Sequence, residues 1–276
     1  MIKGDPSLYS EIETILKLNP VAQMVLISTG YGFRLNHIDP ADEIPLIMSE
    51  QNYLSNISKK YPDRIFPFYG IHPLRPYTME AIKRCHTILN FTGIKLHFSA
   101  SQVDFRKEEH ISRLRDIFSY TGQHQIPVLI HFSNHRSDFG KKEVIQFFHD
   151  VLDPDIAQTI IFAHMGAGGW ITDRSVITIE SILNQVESST GTKHHIYFEL
   201  SGIIHEKWNH QEEISDYQKN ILIRRIGLDM ILFGSDYPAT TSLDYLKLIK
   251  RRLKFTNKEM NQISRKNIFA PDKAQR

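Results

Sequence analysis

Four short apolar runs in the second half of the chain decide its fold: Val128-Leu-Ile-His131, Ile160-Ile-Phe-Ala-His164, Ile196-Tyr-Phe-Glu199 and Met230-Ile-Leu-Phe-Gly-Ser-Asp236. Each run is too short for a helix and too apolar for an exposed strand, and each ends in a polar residue. Longer amphipathic segments separate the runs. The pattern therefore predicts buried parallel strands that alternate with helices.

Three earlier runs extend the pattern to seven strands: Ala22–Ser28, Ile65–Ile71 and Gly93–His97. From His97 to Asp236 the polar strand ends recur every 33–37 residues, which fits a strand, a helix and two loops. Successive right-handed crossovers wind in one direction, into an open doubly wound sheet or a closed barrel. No G-x-G-x-x-G turn follows a strand, as a nucleotide-binding sheet would require. We therefore predict an α/β fold of the TIM-type (β/α)8 barrel.

The predicted helices outnumber the predicted strands. The amphipathic segments are Ser7–Leu18, Ile44–Lys60, Thr78–Leu89, Phe105–Gln123, Lys141–Val151, Arg174–Glu187, Glu212–Ile226, Leu243–Arg251 and Asn257–Asn267. Because the sequence opens with a helix, the strand absent from the eight is expected to be the first. We expect residues 1–276 to form a single barrel domain. A missing strand would expose sheet edges, so we expect a homo-oligomer through such an edge or an N-terminal segment that covers it.

Composition excludes several classes of partner. The 33 Lys and Arg residues are balanced by 31 Asp and Glu, without a basic stripe, so neither nucleic acid nor an anionic membrane is an expected partner. No stretch approaches the about 20 apolar residues of a membrane span, and the N-terminus lacks the hydrophobic core of a signal peptide. The single cysteine, Cys85, cannot form an internal disulfide. We therefore expect a cytoplasmic protein that binds a small molecule.

Three strand-end residues could carry chemistry. His131, His164 and Asp236 each end a predicted strand, so in a barrel they converge on one mouth. Two imidazoles and a carboxylate are a partial ligand set for Zn²⁺, Mn²⁺ or Fe²⁺. The alternative is that each residue caps its strand by bonding to nearby backbone. Their shared topological position favours the functional interpretation.

The same segments resemble the amidohydrolase-related family. The resemblance lies in Gly93–His97, Pro127–His131, Phe162–Gly166, Phe198–Gly202 and Leu232–Pro238, which look like consecutive signatures of strands four to eight. Phe-Gly-Ser-Asp-Tyr-Pro is the most specific of them. The last predicted helix, ending Arg-Lys-Asn-Ile-Phe, is also similar to that family's closing helix. The resemblance covers about two thirds of the chain.

This resemblance implies a metal-dependent hydrolase acting on a small carbonyl or carboxylate compound, by hydrolysis or by related decarboxylation or lactone opening. Family members hold one divalent metal through an H-x-H pair on strand one, a histidine on strand five and an aspartate on strand eight. His131 and Asp236 match the last two positions, and His164 matches a strand-six histidine that acts as a general acid/base or supports the metal-bound water. The resemblance thus implies His131, Asp236 and His164 as metal residues, with Asp236 and His164 catalytic. Zinc is the expected ion, and manganese or iron stay open.

The sequence departs from the family pattern in one respect: no H-x-H occurs in the 276 residues. We therefore expect weak metal binding and keep three explanations open. These are a truncated or mis-started reading frame, replacement of a ligand by a residue such as His72, or a pseudoenzyme. A pseudoenzyme would act as a small-acid or protein binding module.

Four further residues are candidates for substrate contact. His72 and His97 follow or end predicted strands, and the alternation of a strand allows only one of Lys95 and His97 to face the barrel interior. Arg136 and Arg174 follow two later strands and could clamp a substrate carboxylate through paired N–H groups. The alternative for both arginines is a solvated loop charge.

Overall fold

The computed structural model describes residues 12–17, 23–31, 39–133, 136, 138–188, 193–206 and 211–269. The chain divides into two compact units, Met1–Leu96 and His97–Arg276. The single-domain organisation stays a prediction. The predicted helix Ser7–Leu18 lies partly outside the described residues. Within it the structure describes residues 12–17, and these are helical.

The first unit alternates strands and helices. In chain order its elements are β1 (Met24–Ile27), α1 (Pro40–Lys60), β2 (Ile65–Ile71), α2 (Thr78–Thr87) and β3 (Gly93–His97), the last residue of which begins the second unit. β1 and β3 each pair in parallel with β2. β2 is buried along nearly its whole length, as expected for a central parallel strand with both faces covered. Cys85, on α2, is buried, and burial raises the pKa of its thiol to about 12.

The second unit continues the same alternation. Its elements are α3 (Glu108–Gln123), β4 (Val128–His131), α4 (Lys141–Gln146), β5 (Thr159–Phe162), α5 (Asp173–Ser188), β6 (His195–Glu199), α6 (Asp216–Ile226), β7 (Ile231–Leu232), α7 (Ser242–Arg252) and α8 (Asn257–Ser264). A π-helical turn, Phe147–Val151, extends α4. β4, β5, β6 and β7 pair in parallel in chain order. This confirms the predicted parallel β/α alternation.

Hydroxyl side chains fix the starts of the last three helices. Ser215, Thr241 and Thr256 each precede a helix and accept a hydrogen bond from a backbone N–H in its first turn. In α6 and α8 a Gln or Glu three residues later returns a bond to the capping residue. Such caps satisfy N–H groups that have no partner within the helix. They determine where the loops after β6 and β7 end.

An aromatic core lies directly beneath the strand ends of the second unit. Phe98, Phe132, Phe162 and Phe198 are fully buried, and neighbouring rings lie 5.4–5.8 Å apart between centroids. Successive residues of a strand point to opposite faces. His97, His131 and Glu199, each adjacent in sequence to one of these rings, therefore project away from this core. Packing of the phenylalanines thus fixes the direction in which the polar side chains at the strand ends point.

Two predicted strands end earlier than expected. β5 stops at Phe162 rather than His164, and β7 consists of Ile231–Leu232 rather than Met230–Asp236. The physical reason is backbone conformation: φ is +52° at His164 and +55° at Asp236, in the left-handed region that a strand cannot contain. Ala163–Gly166 instead forms a tight turn whose two central residues, His164 and Met165, are left-handed. Both residues therefore lie on turns after their strands.

The structure bears on membrane association but does not test location or oligomeric state. Within the described residues, no helix combines the length and the apolar character that crossing a bilayer requires. The cytoplasmic location and the homo-oligomer through a sheet edge stay predictions.

Candidate functional site

Three histidines meet at the strand ends of the second unit. The rings of His97 and His131 stack with centroids 3.8 Å apart and an interplanar angle of 16°. His164 meets His131 edge to face, with centroids 5.2 Å apart. The expected convergence of His131 and His164 is thus observed, and His97 joins them. A row of imidazoles at neighbouring strand ends can hold and transfer protons near neutral pH.

A serine two residues further along contacts the ring of each of the first two histidines. Ser133 Oγ lies 2.8 Å from His131 Nε2, and Ser99 Oγ lies 3.2 Å from His97 Nδ1. The Ala100 N–H also donates to His97 Nδ1, at 3.3 Å. Because a backbone N–H can only donate, this Nδ1 is an acceptor, and the neutral ring of His97 carries its proton on Nε2. The serines therefore help to set the orientation of the rings.

His164 is held by the segment after β6. Its Nδ1 lies 2.8 Å from the carbonyl oxygen of Ser201 and 3.0 Å from the Ser201 hydroxyl. Since a carbonyl only accepts, Nδ1 carries the proton and donates it to Ser201. Nε2 of the neutral ring is then a base or a ligand. His164 and Met165 both have left-handed φ, a strain of about 1–3 kcal/mol per residue that the surrounding contacts must hold in place.

Glu199 is a buried carboxylate in the same group. Its Oε1 accepts a hydrogen bond from the Ser201 N–H at 2.6 Å, and its Oε2 accepts one from the Ser201 hydroxyl at 2.7 Å. The His164 N–H donates to Oε2 at 3.3 Å. Glu199 thereby joins the turn after β5 to the turn after β6.

Tyr245, on α7, holds the segment after β6 from its other side. Its buried hydroxyl donates to the Leu200 carbonyl at 2.7 Å and accepts from the N–H groups of Ile203 and Ile204 at 3.1 and 3.4 Å. Burial raises the pKa of Tyr245 well above its usual range. The phenol therefore stays neutral and serves as a fixed donor and acceptor. The position of Ser201 is set by both Glu199 and Tyr245.

Asp236 differs from His131 and Glu199 in its exposure to solvent. It is exposed, on the turn after β7, and its carbonyl accepts the Ala239 N–H at 2.9 Å. Among the residues that the structure describes, no three His, Cys, Asp or Glu side chains are grouped so as to hold a metal ion. The described part of the site therefore does not fit the three-ligand centre of a catalytic zinc. The metal and catalytic roles of His131, His164 and Asp236 stay predictions.

The two candidate arginines are placed differently. Arg136 pairs with Asp138 and, at 3.2 Å, with Asp104. The Arg106 guanidinium, and to a smaller extent that of Arg136, holds the pKa of Asp104 well below its usual range. Arg174 is an exposed residue in the first turn of α5. Arg136 is thus committed to carboxylates of its own chain, and the substrate contact of either arginine stays a prediction.

His72 belongs to the first unit. It follows β2 and is buried, its Nδ1 accepts the Leu74 N–H at 3.3 Å, and its carbonyl accepts the Thr78 hydroxyl at 2.8 Å. Through these bonds His72 stabilises the turn between β2 and α2. Its roles as a substrate contact or a replacement ligand stay predictions.

Ser99, Ser133, Ser201 and Glu199 are site residues that the strand pattern alone did not identify. The missed signal is a repeated spacing: His97 and Ser99, His131 and Ser133, and Glu199 and Ser201 each stand two residues apart, with Phe or Leu between them. Two residues along an extended chain return to the same face. The repeat therefore predicts a polar pair at each strand end, and the structure shows all three pairs in contact.

The family model described as amidohydrolase matches residues 29–268, and the chain belongs to that family. No curated protein matches the sequence. Solved structures resemble it at low identity. 2,6-Dihydroxybenzoate decarboxylase from Rhizobium is 15% identical with a TM-score of 0.57, and the match covers 91% of this chain and 84% of that one. A structural-genomics target described as amidohydrolase II is 17% identical with a TM-score of 0.60, covering 92% and 85%.

A third similar structure contains a metal. It is 5-carboxyvanillate decarboxylase from Novosphingobium aromaticivorans with bound manganese and 3-methoxy-4-hydroxy-5-nitrobenzoic acid, 16% identical, with a TM-score of 0.55 and coverage of 88% and 74%. At these identities the likeness shows the fold alone, which is the α/β fold of the TIM-barrel type. The predicted family and fold class are thereby confirmed.

Proposed function

We propose that this chain is an enzyme that hydrolyses a small carbonyl or carboxylate compound, or performs the related decarboxylation or lactone opening. The observation that carries the proposal is the imidazole row His97, His131 and His164 at adjacent strand ends, with the tautomer of His164 fixed by Ser201. Membership of the amidohydrolase family supports the reaction class. The decarboxylases of similar fold support a small carboxylate as substrate.

The proposed chemistry uses His164 as general base. In hydrolysis, Nε2 takes a proton from water while the water oxygen bonds to the substrate carbonyl carbon. The same nitrogen then returns the proton to the leaving group as the bond to that group breaks. A positioned imidazole contributes about 10²–10⁴-fold to such steps. The left-handed turn at His164 and the bond to Ser201 aim the ring for this role.

The metal remains a separate part of the proposal. The family resemblance implies one divalent ion, with zinc expected and manganese or iron as alternatives. Because the described residues contain no three-residue group for an ion, we expect weak binding, and no step above depends on it. His131 and Asp236 are the proposed ligands.

Elemental analysis of the chain after equilibrium dialysis against Zn²⁺ or Mn²⁺ tests the metal. It is made beside His131→Ala/Asp236→Ala and a control, His149→Ala/Asp150→Ala, which removes an exposed pair of the same composition. We expect bound metal that the control keeps and the first variant loses. Equal loss in both variants would contradict the proposed ligands.

Turnover of a panel of aromatic and aliphatic carboxylates, esters and lactones tests the enzyme. We expect activity that His164→Asn lowers about 10²-fold or more. No turnover of any compound, with or without added Zn²⁺ or Mn²⁺, would overturn the proposed enzyme.

A binding module without catalysis is the second candidate. The absence of H-x-H from the sequence and the exposed position of Asp236 favour it. Calorimetric binding of a carboxylate from the panel without its turnover would support this second function.

A further inference from the structure

We propose that Glu199 is a positioning residue that turns the Ser201 hydroxyl into a second acceptor for His164 Nδ1, so that hydroxyl and carbonyl together hold the neutral ring as the Nδ1–H tautomer, and that it seats the turn after β7 beside it. The inference rests on the proposed function of His164 and adds the group that controls it. Glu199 acts through Ser201 and does not itself touch the reacting atoms.

The first step is the hydrogen bonding of the carboxylate. Glu199 is 9% exposed, and its described donors are all neutral: the Ser201 N–H, the Ser201 hydroxyl and the His164 N–H. A carboxylate only accepts, so the Ser201 hydroxyl must donate its proton to Glu199. The Ser201 hydroxyl therefore donates in this bond because the Glu199 carboxylate has no proton to give.

The second step follows at His164. The Ser201 hydroxyl proton is directed at Glu199, so Oγ presents a lone pair to Nδ1, 3.0 Å away. The Ser201 carbonyl oxygen, 2.8 Å from Nδ1, also only accepts. Two acceptors facing one ring nitrogen require that nitrogen to carry the proton. Nε2 is therefore left as the basic nitrogen of the neutral ring.

Gly202 makes this approach possible. It has a φ of +66°, which L side chains rarely adopt, and a Cβ at this position would lie 3.1 Å from His164 Nδ1. A glycine after Ser201 thus lets the backbone turn and the ring come close.

The carboxylate also contacts the turn that carries Asp236. A Cβ built at Gly234 would lie 1.8 Å from Glu199 Oε1, so the carboxylate packs directly against the Gly234 backbone. Asp236 follows two residues later. Glu199 therefore contacts the segments after β5, β6 and β7, and its position bears on both His164 and Asp236.

Glu199→Gln is the decisive variant. The Gln amide can donate to Ser201 Oγ and so release the hydroxyl proton to turn toward His164 Nδ1, where it competes with the ring's own proton, while the Ser201 carbonyl still accepts from Nδ1–H. We therefore expect a mixture in which the Nε2–H tautomer becomes detectably populated beside Nδ1–H. Long-range proton–nitrogen correlation spectra of histidine-labelled protein, at a pH where the rings are neutral, report the tautomer directly, and His164→Asn assigns the signal.

Ser201→Ala provides a rescue that a merely structural role would not produce. It removes the hydroxyl and keeps the carbonyl, so His164 should stay Nδ1–H, and Glu199→Gln/Ser201→Ala should return to Nδ1–H. Glu180→Gln, on α5, is the matched control and should change nothing. Glu199→Asp, which draws the carboxylate back from the hydroxyl, replaces Glu199→Gln if the latter does not fold, with a mixture of tautomers expected.

Two results would overturn the proposal: an Nε2–H ring in the unchanged protein, or an unaltered Nδ1–H ring in the folded Glu199 variant. The spectra require neither substrate nor metal, so they decide the positioning role even if the proposed enzyme activity is absent. If a substrate is found, Glu199→Gln should lower kcat several-fold, less than His164→Asn, with little change in KM, and the double variant should recover most of the loss.

Discussion

Glu43 in the first unit and Glu199 in the second are both buried glutamates, but they are stabilised in opposite ways. Glu43, on α1, has a side chain with 0% exposure and pairs with Arg75, whose Nε lies 3.1 Å from Oε2. The Tyr77 hydroxyl donates to its Oε1 at 2.6 Å. The described donors to Glu199 include no guanidinium or ammonium group and come from Ser201 and His164.

With the proposed role of Glu199, the difference separates a carboxylate that stabilises the fold from one that positions a site residue. A cation beside Glu43 offsets its charge and ties α1 to the turn before α2, so its contribution is to stability. Glu199 imposes a direction on neutral donors instead, and that direction continues to His164. A buried carboxylate can make a neighbouring hydroxyl donate to it, which leaves the hydroxyl oxygen as an acceptor for a histidine N–H. A carboxylate paired with a cation does not specify a tautomer in this way.

The largest expected effect is at Glu43. Glu43→Ala removes the carboxylate partner of Arg75 in a buried ion pair, which should lower the free energy of unfolding by about 3 kcal/mol. Denaturant titration measures the loss, and Glu80→Ala, an exposed glutamate on α2, should change the free energy by no more than about 0.5 kcal/mol. A loss at Glu43 as small as that at Glu80 would show that the Glu43–Arg75 pair does not stabilise the fold.

An intermediate loss of unfolding free energy is expected at Tyr245, which holds the segment after β6. Tyr245→Phe leaves the Leu200 carbonyl and the Ile203 N–H without their phenol partner and should lower the free energy of unfolding by about 2 kcal/mol. Tyr217→Phe is the matched control, because that ring is 75% exposed. If the two variants unfolded alike, Tyr245 would not anchor the segment that carries Ser201.

The smallest expected change in the free energy of unfolding is at Glu259, a partly exposed carboxylate. Glu259, at the start of α8, bonds to Arg224, and this bond lowers its pKa to about 2 from a usual value of 4.5. Its stabilising contribution is therefore complete above pH 4.5 and is lost as the pH falls through about 2. Glu259→Gln should cost at most about 1 kcal/mol at neutral pH.

Unfolding curves across acidic pH check this case. The difference between Glu259→Gln and the unchanged protein should shrink as the pH falls toward 2. A difference independent of pH would contradict the ionic origin of the bond. Replacement of Asp42, an exposed residue in the first turn of α1, by Asn is the control.

The sequence pattern predicted much of the site because strand ends repeat. Runs ending at His97 and His131 give the observed limits of β3 and β4, and parallel strands bring such ends together. His164 and Asp236 were placed on strands, but both lie on left-handed turns. A left-handed residue depends on contacts from distant segments, such as the Glu199 bond to the His164 N–H, and local apolar patterning carries no information about it.

The sequence by itself determined the alternation of strands and helices, the family and the histidines that meet at the strand ends, because these follow from period, spacing and residue type. Only the tertiary structure decided that Glu199 joins Ser201 to His164, that Asp236 is exposed, and that Arg136 is bound to Asp104 and Asp138. Such partners lie up to 37 residues apart in the chain. Their contacts exist only when packing brings the strand ends within hydrogen-bond distance.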